Sequence, residues 1–157
     1  MNLEKQLLEG LEAINCGTSD RKALSTRLLQ YTALIEKWNQ VHNITAVRKP
    51  EEMISKHLLD SLTLLPHVIG QYVADVGSGA GLPGIPLAIT NPDLRVTVIE
   101  SNQKKIAFLD QARLELSLSN VKVIPVRVEK YFPTQRYDTV VSRAFSDLAT
   151  FVKSAQH

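Results

Sequence analysis

The chain has one cysteine, Cys16, and no CxxC or Cys/His spacing of the kind that holds zinc. An internal disulfide is therefore excluded, and a reducing, cytoplasmic location without a structural metal is the expectation. Aromatic residues make up only 6% of the chain and are not interleaved with basic ones, so the stacking-plus-charge pattern of a single-strand nucleic-acid groove is missing. No apolar run approaches membrane-spanning length, and the first ten residues alternate charge with leucine instead of placing a basic stretch before an apolar core. Membrane insertion and export are not expected. The net charge is only +2 and no basic tail exists, so any surface for a polyanion must come from folding. No Gly-Lys-Ser/Thr follows the glycines, which removes a P-loop: phosphate would lack its lysine and magnesium its hydroxyl.

What is present fits one soluble domain: 157 residues, 44% hydrophobic and 22% charged, enough to bury about two-thirds of the surface of the unfolded chain. Leu3, Leu7, Leu8, Leu11 and Ile14 form the stripe of an amphipathic helix, with Gly17 as its expected end. Ser19 and Asp20 offer cap oxygens to a longer stripe that runs from Leu24 through Tyr31 and Trp38 to Val41. A third helix is expected from Pro50 to Pro66, with Glu51 and Glu52 at its positive end. Residues 1–66 thus read as a helical region, and 67–157 as a second unit with a different pattern.

That unit alternates strand and helix. The expected strands are 72–76, 95–100, 121–126 (reaching a tip at Val128 and Glu129) and 137–142. Helices are expected over 83–90 and 102–116, the second with Ile106, Leu109, Arg113 and Leu116 on one side. Alternation of this kind implies right-handed crossovers, a parallel α/β sheet and a ligand crevice at the carboxyl ends of the strands.

The first strand runs into Asp75-Val76-Gly77-Ser78-Gly79-Ala80-Gly81, and Gly79, Gly81 and Gly84 also spell the dinucleotide pattern GxGxxG. Glycine is required in either case because the ligand lies against bare backbone. Charge separates the two readings. A dinucleotide brings pyrophosphate, which a carboxylate at the strand tip repels, whereas S-adenosylmethionine brings an ammonium, which it attracts by about 4 kcal/mol at about 4 Å and an effective dielectric near 20. Pro83 and Pro86 also remove N–H groups from the start of the next helix. Asp75, Gly77 and Gly79 are therefore assigned to an adenosyl cofactor. Glu100, 25 residues on, is assigned to its ribose hydroxyls, with a solvated helix cap as the bland alternative.

Strand-end position brings Val128 and Glu129 beside the adenine, although Glu129 is equally explained as a surface partner of Lys130. Arg143, at the fourth strand's tip, has three partners to choose from: the cofactor carboxylate, an RNA phosphate, or Asp147. His42, Arg48, His57 and Asp60 are candidates for RNA contact or pocket closure, but more often such residues brace neighbouring backbone. Trp38 reads as core.

ADVGSGAGLPGIP at 74–86, RVEKY at 127–131, SRAF at 142–145, WNQVHNITA at 38–46 and KHLLDSL at 56–62 together resemble the glucose-inhibited division protein B family. These are small-subunit ribosomal RNA guanine-N7 methyltransferases, and the resemblance extends over nearly the whole chain. It implies a Rossmann-like class I methyltransferase fold with an N-terminal helical extension, and cofactor contacts at Gly77, Leu82, Val128, Glu129 and Arg143. It also implies a 16S rRNA guanine in the small subunit as substrate, and action as a monomer at full length. Guanine N7 carries a free lone pair, so no catalytic base is assigned and positioning carries the reaction. A fold of this class has seven strands where only four are placed here. The expectation is that C-terminal strands are missing, that ATFVKSAQH is a helix cut short, and that this stretch alone is unstable or associates. Two rival readings are an NAD(P)-dependent oxidoreductase using the glycines and a non-catalytic RNA-binding module on the same fold.

Overall fold

The computed structural model describes residues 2–143. Ala144, Phe145, Asp147 and the ATFVKSAQH segment lie outside them.

Four parallel strands form one sheet: β1 (Tyr72–Val76), β2 (Arg95–Ile99), β3 (Val121–Ile124) and β4 (Thr139–Val141), in the order β3-β2-β1-β4. The chain builds outward from β1 through β2 to β3, then returns so that β4 pairs β1 on its other side. The order reverses at β1, which places a crevice at the carboxyl ends of β1 and its neighbours. β1 is an interior strand, paired on both sides, and is buried almost throughout, as its run of small and branched side chains predicts.

Side chains alternate between the two faces. Val73, Val96, Val98 and Val121 point into the main core with Ile85 and Phe108, while Ala74, Val76 and Ile99 point the other way, where Tyr131 and Tyr137 pack. Asp75 shares the parity of Val73 and so lies on the side covered by α5 (Gly84–Thr90). α6 (Gln103–Glu115) covers the same side, its amino end capped by Asn102 Oδ1, which accepts from Lys105 N at 3.1 Å.

The N-terminal helices α1 (Leu3–Ala13) and α2 (Arg21–Asn39) belong to that same core: Leu7, Leu11, Leu28, Tyr31 and Ile35 have no exposed surface and cluster with Val73, Ile85 and Phe108. Asp20 caps α2, accepting from Ala23 N at 3.0 Å. A further helical run starts with Pro50 in α3 (Pro50–Met53), widens to a π-helix over Ile54–Leu59 and returns to α-helix in α4 (Asp60–Leu62).

Several boundaries differ from the expectations, each for a local reason. α1 ends before Gly17: Asn15 takes φ +54°, so Cys16 N reaches Leu11 O at 3.0 Å and Asn15 N reaches Glu12 O at 2.9 Å, a Schellman closure built on asparagine. Val41 lies beyond the end of α2 and is 78% exposed, so it is not part of the core stripe. The third helix is interrupted by the π-turn and stops at Leu62; Leu65–His67 is a separate 3-10 turn. β3 ends at Ile124 because Pro125 has no N–H for the ladder, and Val128–Lys130 is a 3-10 turn, not a strand tip. β4 is shorter than 137–142, since Asp138 is drawn off to bond Gln71 N and Tyr72 N at 3.0 Å each. The buried face of α6 is Phe108, Leu109 and Ala112, with Ile106 and Arg113 toward its edges.

Candidate active site

The glycine loop leaves β1 and folds over the tip of β2. Gly77 N and Ser78 N both donate to Ile99 O, at 2.9 and 3.2 Å, and Gly77, Gly79 and Gly81 all have positive φ. Glu100 completes the attachment. Its Oε1 accepts from Gly79 N at 2.8 Å, and its Oε2 accepts from Ser101 N and Asn102 N at 2.9 Å each. The helix-cap role belongs to Asn102, so Glu100 serves as a clamp between the two strand tips, with acceptor capacity left over on a half-buried carboxylate.

Gly77, Glu100, Val128 and Glu129 line one cleft of 160 Å³ together with Val76 and Ile99. The 3-10 turn at Val128–Lys130 delivers Val128 half-buried and Glu129 exposed to that cleft, so the two come to the same place by a turn instead of a strand end. Gly79 adjoins it through its bond to Glu100, and a Cβ on Gly79 would meet nothing within 4 Å, which leaves open space against bare backbone. Leu82, Asp75 and Arg143 do not line this cleft. Leu82 is 8% exposed and packs in the main core.

Asp75 lies beneath the loop. It has no exposed surface, its Oδ2 accepts from Gly84 N at 2.8 Å, and its Oδ1 is buried without a hydrogen-bond partner. Burial pushes its carboxyl well above the ordinary carboxylate range; the Gly84 N–H and the Arg143 charge oppose that, and the Glu100 charge adds to it. Tyr31 supports the loop from α2, its hydroxyl donating to Ala80 O. That contact was not legible in the sequence, where Tyr31 is one more member of an apolar stripe.

A second cluster forms where α2, the π-turn and β4 meet. Asn39 Oδ1 accepts from Ile44 N at 2.9 Å and Thr45 N at 3.0 Å, which fixes the segment after α2. Thr45 Oγ1 in turn lies 2.8 Å from His57 Nε2. His57 is 6% exposed, and burial, then the Arg143 charge, holds its pKa below the usual imidazole value. Arg143 pairs with Asp60 Oδ2 at 3.2 Å and donates to Lys56 O at 2.6 Å. Of the partners expected for Arg143, Asp147 lies outside the described residues. Arg48 is tied to Asn39 O at 2.8 Å and to Asn43, and Trp38 packs edge-on against Phe108 with ring centroids 5.6 Å apart.

The residues fit an adenosyl ligand: a glycine with open space above it, a carboxylate gripping the loop from the next strand, and an orphaned carboxylate oxygen below. A family model described as rRNA small subunit methyltransferase G matches residues 24–157. The chain belongs to that family. Among the relatives, "Ribosomal RNA small subunit methyltransferase G" of Nitrosomonas eutropha is 55% identical over all of this chain and 73% of its own length. The protein of the same name from Nitrosospira multiformis is 57% identical over the whole chain and 72% of its own length, and that of Legionella pneumophila (strain Corby) is 46% identical. Among solved structures, coclaurine N-methyltransferase bound to N-methylheliamine and SAH superposes with a TM-score of 0.52 at 14% identity. That match covers 89% of this chain and 47% of the other, and it shows a shared fold: the parallel sheet with helices of the Rossmann-like methyltransferases. Among the described residues no helix is long and apolar enough to cross a membrane, and no group of three or more His, Cys, Asp or Glu is placed to hold a metal.

Proposed function

We propose that the chain transfers a methyl group from S-adenosylmethionine to N7 of a guanine in 16S ribosomal RNA of the small subunit, acting in the cytoplasm and, at full length, as a monomer. The observation that carries the reading is the Glu100 clamp on Gly79 beside the cleft shared by Gly77, Val128 and Glu129. Membership of the methyltransferase G family supports the RNA substrate.

In this reading Glu100 accepts from the ribose hydroxyls with the acceptor capacity its backbone bonds leave free, and Val128 and Glu129 flank the adenine. Gly77 and Gly79 leave room for the methionine part, and Arg143 pairs with its carboxylate from the β4 side. Leu82 shapes the loop from within the core. Asp75, being fully buried, acts from beneath: it fixes Gly84 N and presents negative charge to the ligand ammonium across the loop. The bound cofactor supplies an electrophilic methyl group. The guanine lone pair needs no base to take it, so the chain's task is to orient the two partners and exclude water. Residues 1–66 form in this view a helical region packed on a methyltransferase core at 67–157.

Calorimetry of the protein with S-adenosylmethionine, S-adenosylhomocysteine and NAD tests the cofactor, with Glu100→Gln as the variant. Binding of the adenosyl ligands alone, weakened about tenfold or more by the substitution, is expected, because one amide oxygen cannot replace both carboxylate oxygens. Mass spectrometry of small subunits incubated with the protein should then show N7-methylguanine. NAD binding alone would establish an oxidoreductase. RNA retention with steep salt dependence and no methyl transfer would establish a binding module.

A further inference from the structure

In an unbroken α-helix the Asp60 N–H would be taken by the carbonyl of Lys56. In the π-turn it passes that carbonyl by and goes to Ser55 O and His57 O. The carbonyl released in this way accepts from Arg143 Nη2 at 2.6 Å, and the carboxylate of Asp60, the first residue after the turn, lies 3.2 Å from the same nitrogen. Two acceptors on one turn of the N-terminal region therefore hold a single guanidinium nitrogen that comes from the far end of β4, 87 residues along the chain.

We propose that Asp60, together with the π-turn carbonyl of Lys56, is the positioning device for Arg143, and that the N-terminal region in this way sets the geometry of the site at the β1–β4 end of the crevice. The proposal rests on the assignment of Arg143 to the cofactor carboxylate made above.

Three observations carry it. Asp60 is 59% exposed and Arg143 27% exposed at the side chain, a degree of solvation at which an ion pair adds little to stability, so the value of the pair lies in orientation. One guanidinium nitrogen, Nη2, is committed to Lys56 and Asp60, and because the guanidinium is a rigid planar fork, fixing that nitrogen constrains where the remaining N–H groups can aim. The π-turn itself is anchored on two sides: His57 Nε2 meets Thr45 Oγ1 at 2.8 Å, and Leu59 packs so tightly on α1 that a Cβ at Gly10 would come within 2.3 Å of it. A carbonyl on such a turn is a fixed point, unlike one on a free loop.

The test is a double-mutant cycle on the full chain with Asp60→Ala, Arg143→Ala and both together, read by calorimetric affinity for S-adenosylhomocysteine and by thermal melting, with Asp60→Glu as the rescue variant. Asp60→Ala should weaken binding about tenfold while moving the melting temperature by no more than about 2 °C, Asp60→Glu should recover part of the loss, and the double variant should bind no worse than Arg143→Ala alone. Unchanged affinity in Asp60→Ala, or losses that add in the double variant, would overturn the positioning role while leaving the cofactor reading intact. A wild-type chain that melts cooperatively yet binds no adenosyl ligand would overturn the cofactor reading, and this proposal with it.

Discussion

The Oδ2 atom of Asp75 lies 2.8 Å from the backbone nitrogen of Gly84, and a Cβ built on Gly84 would stand 2.7 Å from that same oxygen. One contact thus joins the tip of β1 to the start of α5 and forbids a side chain there. Val98 Cγ1 at 3.0 Å closes the remaining space. Gly84→Ala should destabilise the chain by about 1–3 kcal/mol through overpacking, seen as a lower urea midpoint with an unchanged slope. An unaltered midpoint would mean that the β1–α5 contact is looser than these distances.

The raised carboxyl of Asp75 gives a pH dependence whose sign is fixed. Its pKa lies above the ordinary value in the folded chain, so on this account stability is highest below the ordinary carboxylate pKa and is lost as pH rises toward the folded value. His57 acts oppositely: its folded pKa is depressed, so stability is lost as pH falls below about 6.5. Asp75→Asn should therefore remove this slope from the pH dependence of the melting temperature of the ligand-free chain, since the amide keeps an acceptor for Gly84 N and cannot titrate. The same substitution should weaken S-adenosylmethionine, whose ammonium loses its counter-charge. Equal melting temperatures for wild type and variant across pH 5–8 would contradict the first claim.

Tyr31 supports the loop by a hydroxyl that donates to Ala80 O, and its ring is fully buried. Tyr31→Phe should cost about 1 kcal/mol, because it keeps the packing and leaves a buried carbonyl without its donor. Amide hydrogen exchange at residues 77–82 should speed up while exchange in α6 stays unchanged. Uniform exchange changes throughout the chain would show a global effect instead of a loop effect.

The strand and helix pattern was readable because each signal is local. β1 and β2 show branched residues bounded by glycine or turn residues, α2 and α6 begin at Asp20 and Asn102, and the glycine spacing with Glu100 fixes what the first two strand tips present. Where reading and structure part, a local exception overrode the pattern: proline at 125 cut β3, and asparagine at 15 did the work expected of glycine at 17.

The amino-acid sequence by itself determined the parallel α/β plan, the glycine loop at the tip of the first strand and the family. All three follow from residue type and spacing along the chain. Only the tertiary structure decided that Asp75 lies under the loop instead of at its surface, that Tyr31 bonds the loop, and that Arg143 is held by Asp60 and a carbonyl released by a π-turn. The physical reason is that each depends on partners 9 to 87 residues apart, and on a hydrogen-bond shift within one helix that no residue in ISKHLL announces.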